Sequence, residues 1–351
     1  MYELIIYINV IIYMNSVNWL AKKHINYEKT VKMLEDCEST NSFTNYGKYT
    51  KMLEEYTHTK LKLNGNKKVI VCCSGAGALH ALVSGINLFN NAQLKWVTQS
   101  FTFPSSAQGI LSDAHIVDID EGGGLDINLV PVDCDGLIVT NIFGNVVDIA
   151  KYEKYAKDAN KILIFDNAAT MYSFYEGSNA CNYGTGCIIS FHHTKPFGFG
   201  EGGAVIVDSE YEESVRRIIN FGLDNPKHIP WHRFGSNYKI SEIAAIYILQ
   251  YLIDNFDNIV DHHINLYEWV KKNIQCELYP NFSDGPPVLS CICLLNNKFT
   301  PEYVQNMINN NVWCRKYYTP LVDLNVSTKM YDKILCYPCN LNVNKITLPG
   351  F

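Results

Sequence analysis

Between residues 45 and 210, short runs rich in apolar and β-branched side chains alternate with stretches of helical periodicity. That alternation restricts the chain to one broad architecture. The runs at 69–73, 96–98, 115–118, 137–140, 162–166, 187–191 and 204–207 have the length and composition of buried strands. The segments at 76–88, 105–112 and 149–159 read as helices between them. Strand and helix in regular succession predict an α/β fold, a large, mostly parallel sheet with helices on both faces. Ligands of such sheets gather at the carboxyl ends of the strands. From 241 to about 272, Ile243, Ile246, Leu249, Leu252, Ile253 and Phe256 recur at helical spacing and predict a long bridging helix. A strand at 288–295, a helix at 301–310 and a last strand at 346–348 predict a smaller α+β unit after it. The expected organisation is an extension and first helix over 1–40, a large domain over 41–240, and the bridging helix with a small domain over 241–351.

Charge and cysteine usage exclude several classes of function. The net charge is -6 and no run of Lys or Arg is longer than two, which argues against a nucleic-acid binder. Twelve cysteines are scattered without a disulfide framework, as expected of a reduced, cytoplasmic protein. Cys336 and Cys339 form a lone C-x-x-C with no second pair at zinc spacing, so no metal site is expected. The apolar stretch at 4–14 is interrupted by Asn9 and preceded by Glu3. It is too short to span a bilayer and lacks the basic leader of a signal peptide. It reads as an extension, a pairing strand, or sequence upstream of a second start at Met14.

Four segments at strand ends carry the chemistry. In Ser190-Phe-His-His-Thr-Lys195, followed by a glycine-rich run to Gly203, a strand delivers a serine and then a lysine. A lysine amine whose pKa is lowered forms Schiff bases readily. In Ile162–Asp166 an apolar strand ends in a carboxylate, which can hold a pyridine nitrogen in its charged form. Ser74-Gly75-Ala76-Gly77 joins a strand to a helix, and free backbone N–H groups at such a turn bind phosphate. Phe103 follows the next strand and could stack on a flat ring. Each has an ordinary alternative: a surface lysine, a helix-capping Asp, a plain turn, a core Phe. Together, in the chain order phosphate turn, stacking aromatic, ring-nitrogen Asp and Schiff-base Lys on one sheet, they point to a pyridoxal phosphate site far more specifically than any one alone. No G-x-G-x-x-G follows the first strand, which disfavours a dinucleotide-binding protein.

These segments resemble the DegT/StrS-type sugar aminotransferases, of the aspartate-aminotransferase fold (PLP fold type I), over nearly the whole chain from about residue 40. Thr44-Asn-Tyr-Gly47 and Lys51-Met-Leu-Glu-Glu55 look like the family's opening loop and first helix, and Ser74–His80 like its phosphate signature. Thr102-Phe103, Phe165-Asp166 and Ser190-Phe-His-x-x-Lys195 match the stacking, pyridinium and lysine motifs. Gly235-Ser-Asn237-Tyr-Lys239-Ile-Ser241-Glu242 matches the segment whose Asn reaches the neighbouring subunit's phosphate, and 345–349 the closing Leu-Pro motif. The sequence departs from the family at Ala76 (usually Thr), Gly77 (Ala), Ala169 (His or Gln) and Lys239 (Arg).

The resemblance implies pyridoxal 5′-phosphate as cofactor and Lys195 and Asp166 as catalytic residues. It implies cofactor contacts from Ser74, Gly75, Ala76, Gly77, Phe103, Ala169, Ser190 and Asn237. Substrate contacts are expected from His192, Lys239, Arg315 and Tyr318. The implied partners are glutamate, a nucleotide-linked 4-keto-6-deoxy sugar giving a UDP-viosamine-like product, and a second copy of the chain in a homodimer with shared active sites. No membrane or nucleic-acid partner is implied. A 3-keto-sugar aminotransferase and a non-catalytic homologue are the alternatives. Related dehydratases carry histidine in place of the lysine, so Lys195 points to transamination.

Overall fold

A computed structural model of the chain describes residues 16–223 and 231–348. The apolar stretch at 4–14, the second start at Met14 and Pro349 lie outside the described residues.

Among the described residues two helices come first, α1 (Tyr27–Thr40) and α2 (Lys48–Lys60), followed by β1 (Lys67–Cys72) and α3 (Gly75–Phe89). The central strands are β2 (Trp96–Gln99), β3 (His115–Val117), β4 (Gly136–Thr140) and β5 (Ile162–Asp166), with α4 (Ile149–Asp158) before β5. A small hairpin, β6 (Phe174–Tyr175) and β7 (Ser178–Asn179), precedes β8 (Gly186–Ser190), β9 (Gly203–Asp208) and α5 (Glu212–Ile219). The seven long-range strands form one sheet in the order β1-β9-β8-β5-β4-β2-β3. Only β9 runs against the rest, pairing antiparallel with both β1 and β8.

Because side chains alternate across a strand, each strand feeds two cores. Val69, Val71, Leu137, Val139, Leu163, Phe165, Cys187 and Ile189 face one side, with α2, α4 and the long helix α6 (Glu242–Asn273). Ile70, Ile138, Ile164, Ile188 and Val205 face the other, under α3 and α5. Glu242, fully buried at the start of α6, accepts from the backbone N–H groups of Gly47, Tyr49 and Thr50, so it caps α2.

The rest of the chain builds a three-stranded antiparallel sheet from β10 (Glu277–Leu278), β11 (Ile292–Leu295) and β12 (Ile334–Tyr337). Two helices, α7 (Pro301–Asn309) and α8 (Asn325–Lys333), complete it. Its outer face packs on the end of α6 and on α7. Its inner face, with Cys293, Leu295, Ile334 and Cys336, packs against Phe101, Ile119, Ile142 and Phe143 from the large sheet's loops. Asp118, just after β3, ties the two sheets: it accepts from the N–H groups of Val326 and Ser327 (both 2.8 Å) at the start of α8.

Three expectations are corrected. Residues 105–112 form two separate 3-10 turns, Pro104–Ala107 and Gly109–Leu111, because Gln108 between them is extended (φ -125°, ψ 165°). The strand expected over 288–295 begins only at Ile292. Before it, Ser290 N–H donates to Phe143 C=O (2.7 Å), so that stretch is pinned to the large sheet's loops. Residues 346–348 form no strand; Ile346 and Leu348 are buried in the outer core without ladder partners, and the last strand is β12.

Candidate active site

The turn after β1 is shaped by its capping chemistry. Ser74 caps α3, its Oγ accepting from Gly77 N–H (3.0 Å) and its carbonyl from Ala78 N–H (2.9 Å). The N–H groups of Gly75 and Ala76 therefore remain as the helix's intrahelically unpaired donors, at the positive end of its dipole. A side chain at Gly75 could not fit: its Cβ would sit 2.9 Å from Ser190 Cβ. Register places Ser190, at the end of β8, opposite Gly203, whose backbone runs so close to Ser74 that a Cβ there would meet its carbonyl carbon at 2.5 Å. Turn, Ser190 and Gly203 thus form one cradle.

Asp166 ends β5 almost completely buried, with Oδ1 accepting from Ala168 N–H (3.0 Å). No helix follows it. Burial pushes its pKa up, against the pull of Ala168 N–H, Lys195 and Ser106. Lys195 sits in a tight turn closed by Lys195 N–H to His192 C=O (2.8 Å) and Gly198 N–H to Lys195 C=O (3.0 Å). Burial draws its pKa down, while Asp166 and Cys291 pull it up. An anion and a cation thus face a shared apolar space, each penalised for its charge by burial and relieved by the other.

That space is a cavity of about 590 Å³, large enough for a cofactor with part of a substrate. Ser74, Gly75, Ala76, Phe103, Asp166, Ala169, Ser190, His192, Lys195 and Tyr318 all line it. Phe103 is 52% exposed, unusual for a phenylalanine without a partner to cover it, and meets Tyr318 edge-on at 5.7 Å. Tyr318 stacks on Phe143 at 4.9 Å.

Four expected residues lie elsewhere. Gly77 is behind the turn, its N–H taken by Ser74. Asn237 is exposed and outside this chain's cavity. Lys239 donates to Asn220 Oδ1 (2.9 Å) and lies over the Phe221 ring. Arg315 is exposed, its guanidinium stacked over Trp19 and Tyr317 rather than lining the cavity.

Two residues before α1 escaped the sequence reading. Trp19 lines the cavity. Lys23 Nζ donates to the carbonyls of Lys195 (2.6 Å), Gly198 (2.5 Å) and Pro196 (3.4 Å), so it clamps the turn that presents the lysine. Tyr251 OH reinforces it on Pro196 C=O (3.1 Å). Burial lowers the Lys23 pKa to about 7. The only local signal was a Lys in a polar stretch, which any exposed residue would give.

The sequence matches the DegT/DnrJ/EryC1/StrS aminotransferase family over residues 25–340 of 351. The chain belongs to this family. A dTDP-4-amino-4,6-dideoxy-D-glucose transaminase of Shigella dysenteriae is 22% identical over 351 residues, covering 90% of this chain and 92% of that protein. The structure of DesI in the presence of its TDP-sugar product resembles this chain with a TM-score of 0.77 at 20% identity, over 92% of this chain and 88% of the other. For an E. coli GDP-4-keto-6-deoxy-D-mannose-3-dehydratase with bound hydrated PLP the values are 0.75, 15%, 92% and 95%. At such identities structural likeness establishes the fold alone.

As a DegT/DnrJ/EryC1/StrS aminotransferase the protein is PLP-dependent, and its donor set fits that group. Unpaired N–H donors and two serines suit a phosphate, a buried carboxylate suits a pyridinium, and a buried amine suits an aldehyde. The departure at Ala76 removes one hydroxyl from the cradle but leaves its backbone donor in place. Among the described residues no helix is long and apolar enough to cross a membrane.

Proposed function

We propose that the enzyme transfers an amino group from glutamate to a nucleotide-linked 4-keto-6-deoxy sugar, giving a 4-amino-4,6-dideoxy sugar. The observation that carries this reading is the meeting of Lys195 and Asp166 in one cavity beside the Ser74–Gly75 turn. Bound pyridoxal phosphate supplies an electron sink for the carbanion that forms when a proton leaves the amino-bearing carbon. The Gly75 and Ala76 N–H groups with Ser74 and Ser190 would hold its phosphate, Phe103 would cover the ring, and Asp166 would keep the ring nitrogen protonated. Lys195 would hold the cofactor through Nζ and would be the group that moves the proton to and from the reacting carbon. His192 contacts substrate from the mouth of the cavity, and Tyr318 lines the sugar side. Residues 41–240 act as the cofactor platform and 241–351 supply the substrate wall.

The sugar assignment is supported by the 4-amino-sugar transaminase from Shigella, which aligns along nearly its full length. Retention of lysine at 195 favours transamination over the dehydration performed by the E. coli neighbour. Homodimerisation is supported by the segment around Asn237: it is exposed, absent from its own cavity, and accompanied by exposed Phe221 and Trp231. In the dimer Asn237 of one copy completes the phosphate site of the other.

The test is incubation with glutamate and UDP-, dTDP- and GDP-linked 4-keto and 3-keto sugars, with NMR locating the new amine. A 4-amino product is expected, with UDP as the favoured nucleotide. Amination at C3, or turnover of none of the panel, defeats the assignment. Mixing inactive Lys195→Ala and Asn237→Ala proteins should restore activity through mixed dimers; no recovery in a mixture shown to exchange subunits rules out shared sites.

A further inference from the structure

Transamination leaves unused a cluster of thiols behind the cavity. Cys293 and Cys336 stand directly opposite one another in the β11–β12 register. Cys291, two residues before Cys293, shares its side of the chain. The three Sγ atoms lie within 4.8 Å of one another, and those of Cys291 and Cys293 are 3.6 Å apart. All three are free thiols, at most 3% exposed. The sequence pairs Cys336 with Cys339, but the fold separates them: Cys339 Sγ turns to Leu289 C=O (3.0 Å), while Cys336 joins Cys291 and Cys293.

We propose that Cys291, Cys293 and Cys336 form a binding site for a soft, thiophilic cation, with three-coordinate Cu(I) the preferred occupant. An ion about 2.3 Å from each of three sulfurs holds them about 3.8 Å apart in tetrahedral and about 4.0 Å apart in trigonal geometry. The cluster is already near that spacing, so only small side-chain rotations are needed. No fourth His, Cys, Asp or Glu joins the cluster among the described residues. Structural zinc almost always takes four ligands, whereas thiolates alone select soft ions such as Cu(I). Binding releases the thiol protons. The ammonium group of Lys316, which interacts electrostatically with Cys336, offsets part of the resulting negative charge. Cys291 lines the cofactor cavity, which provides the path of entry. Ordinary packing of three small apolar thiols predicts none of this ion selectivity.

The experiment uses full-length protein loaded with pyridoxal phosphate, kept anaerobic and reduced. Cu(I) and Zn(II) are titrated in separate arms against competing chelators, and metal retained after gel filtration is counted by mass spectrometry. About one Cu(I) per chain is expected. Cys293→Ser and Cys336→Ser should weaken retention by more than the roughly 10–100-fold that loss of an outer-shell partner costs. Cys276→Ser, outside the cluster, should leave retention unchanged. X-ray absorption of the wild-type copper complex needs no variant, and a shell of sulfur alone near 2.3 Å is expected. Retention well below one ion per chain, equal retention in the Cys293 and Cys276 variants, or a shell containing nitrogen or oxygen overturns the site. Preferential retention of zinc overturns the three-coordinate copper assignment.

Discussion

The two walls of the active-site cavity are built on opposite principles. The wall from the large sheet consists of strand ends: Ser74 after β1, Asp166 closing β5, Ser190 closing β8, and Lys195 five residues on. Asp166 and Ser190 lie in ladders that fix their register, Ser74 and Lys195 follow a strand in a tight turn, and each arrives in a short local motif. The facing wall holds Ser290, Cys291, Tyr317, Tyr318 and Thr319, with Trp19 from the far end of the chain. These come from loops and strand edges whose positions depend on how the small sheet docks. The first wall is set by local sequence, the second by how separate elements pack together.

The largest effect should come from the motif wall. Lys195→Ala is expected to lower transamination by at least about 10³-fold and to abolish borohydride fixation of the cofactor. Retained fixation would break the assignment. Lys23→Met asks whether that wall depends on a residue outside its motifs. It leaves buried carbonyls of the 195–198 turn short of a donor, at a cost of about 1–3 kcal/mol. A fall of roughly 10-fold in kcat is expected, with a shifted pH dependence of the cofactor's visible absorbance; an unchanged spectrum would limit Lys23 to stability.

Asp118→Ala tests how the second wall is held. Burial pushes the Asp118 pKa up, but hydrogen bonds from Ser327, Val326 and Ile119 outweigh it and leave the pKa below the ordinary 3.8. Its contribution to stability is therefore present above that value and disappears as pH falls through the depressed pKa. The substitution should raise KM for the sugar more than it lowers kcat, and should destabilise the protein at neutral pH by about 1–3 kcal/mol. Equal effects on both kinetic constants would mean that the walls move as one.

The smallest effect concerns Asp166 without its cofactor. Its pKa is raised above 3.8, so its favourable contribution is complete below that value and is lost as pH rises through the raised one. In the cofactor-free protein Asp166→Asn should therefore raise the melting temperature at neutral pH, with the gain vanishing in acid below 3.8. With cofactor bound, the same variant should lose activity. A stabilising effect that ignores pH would show that charge burial is not its cause.

Legibility in the sequence followed the same division. All seven strands of the large sheet sit within a residue or two of their expected positions, because two-faced burial forces uninterrupted apolar runs. The sequence reading failed where apolar pattern and backbone pairing part company. Ile346 and Leu348 alternate like a strand, yet they are buried without a ladder. Gln108 breaks an otherwise helical pattern by adopting extended backbone.

From the sequence alone come the α/β class and the four strand-end segments, because strand termini and capped turns are local consequences of side-chain pattern. Tertiary structure alone decided that Lys23 grips the lysine turn from 172 residues away, that Cys336 meets Cys291 and Cys293 rather than Cys339, and that Arg315 lies outside the cavity. Such contacts depend on the docking of separately formed elements. That docking is set by the summed packing of many apolar side chains, and no short run of residues carries its signature.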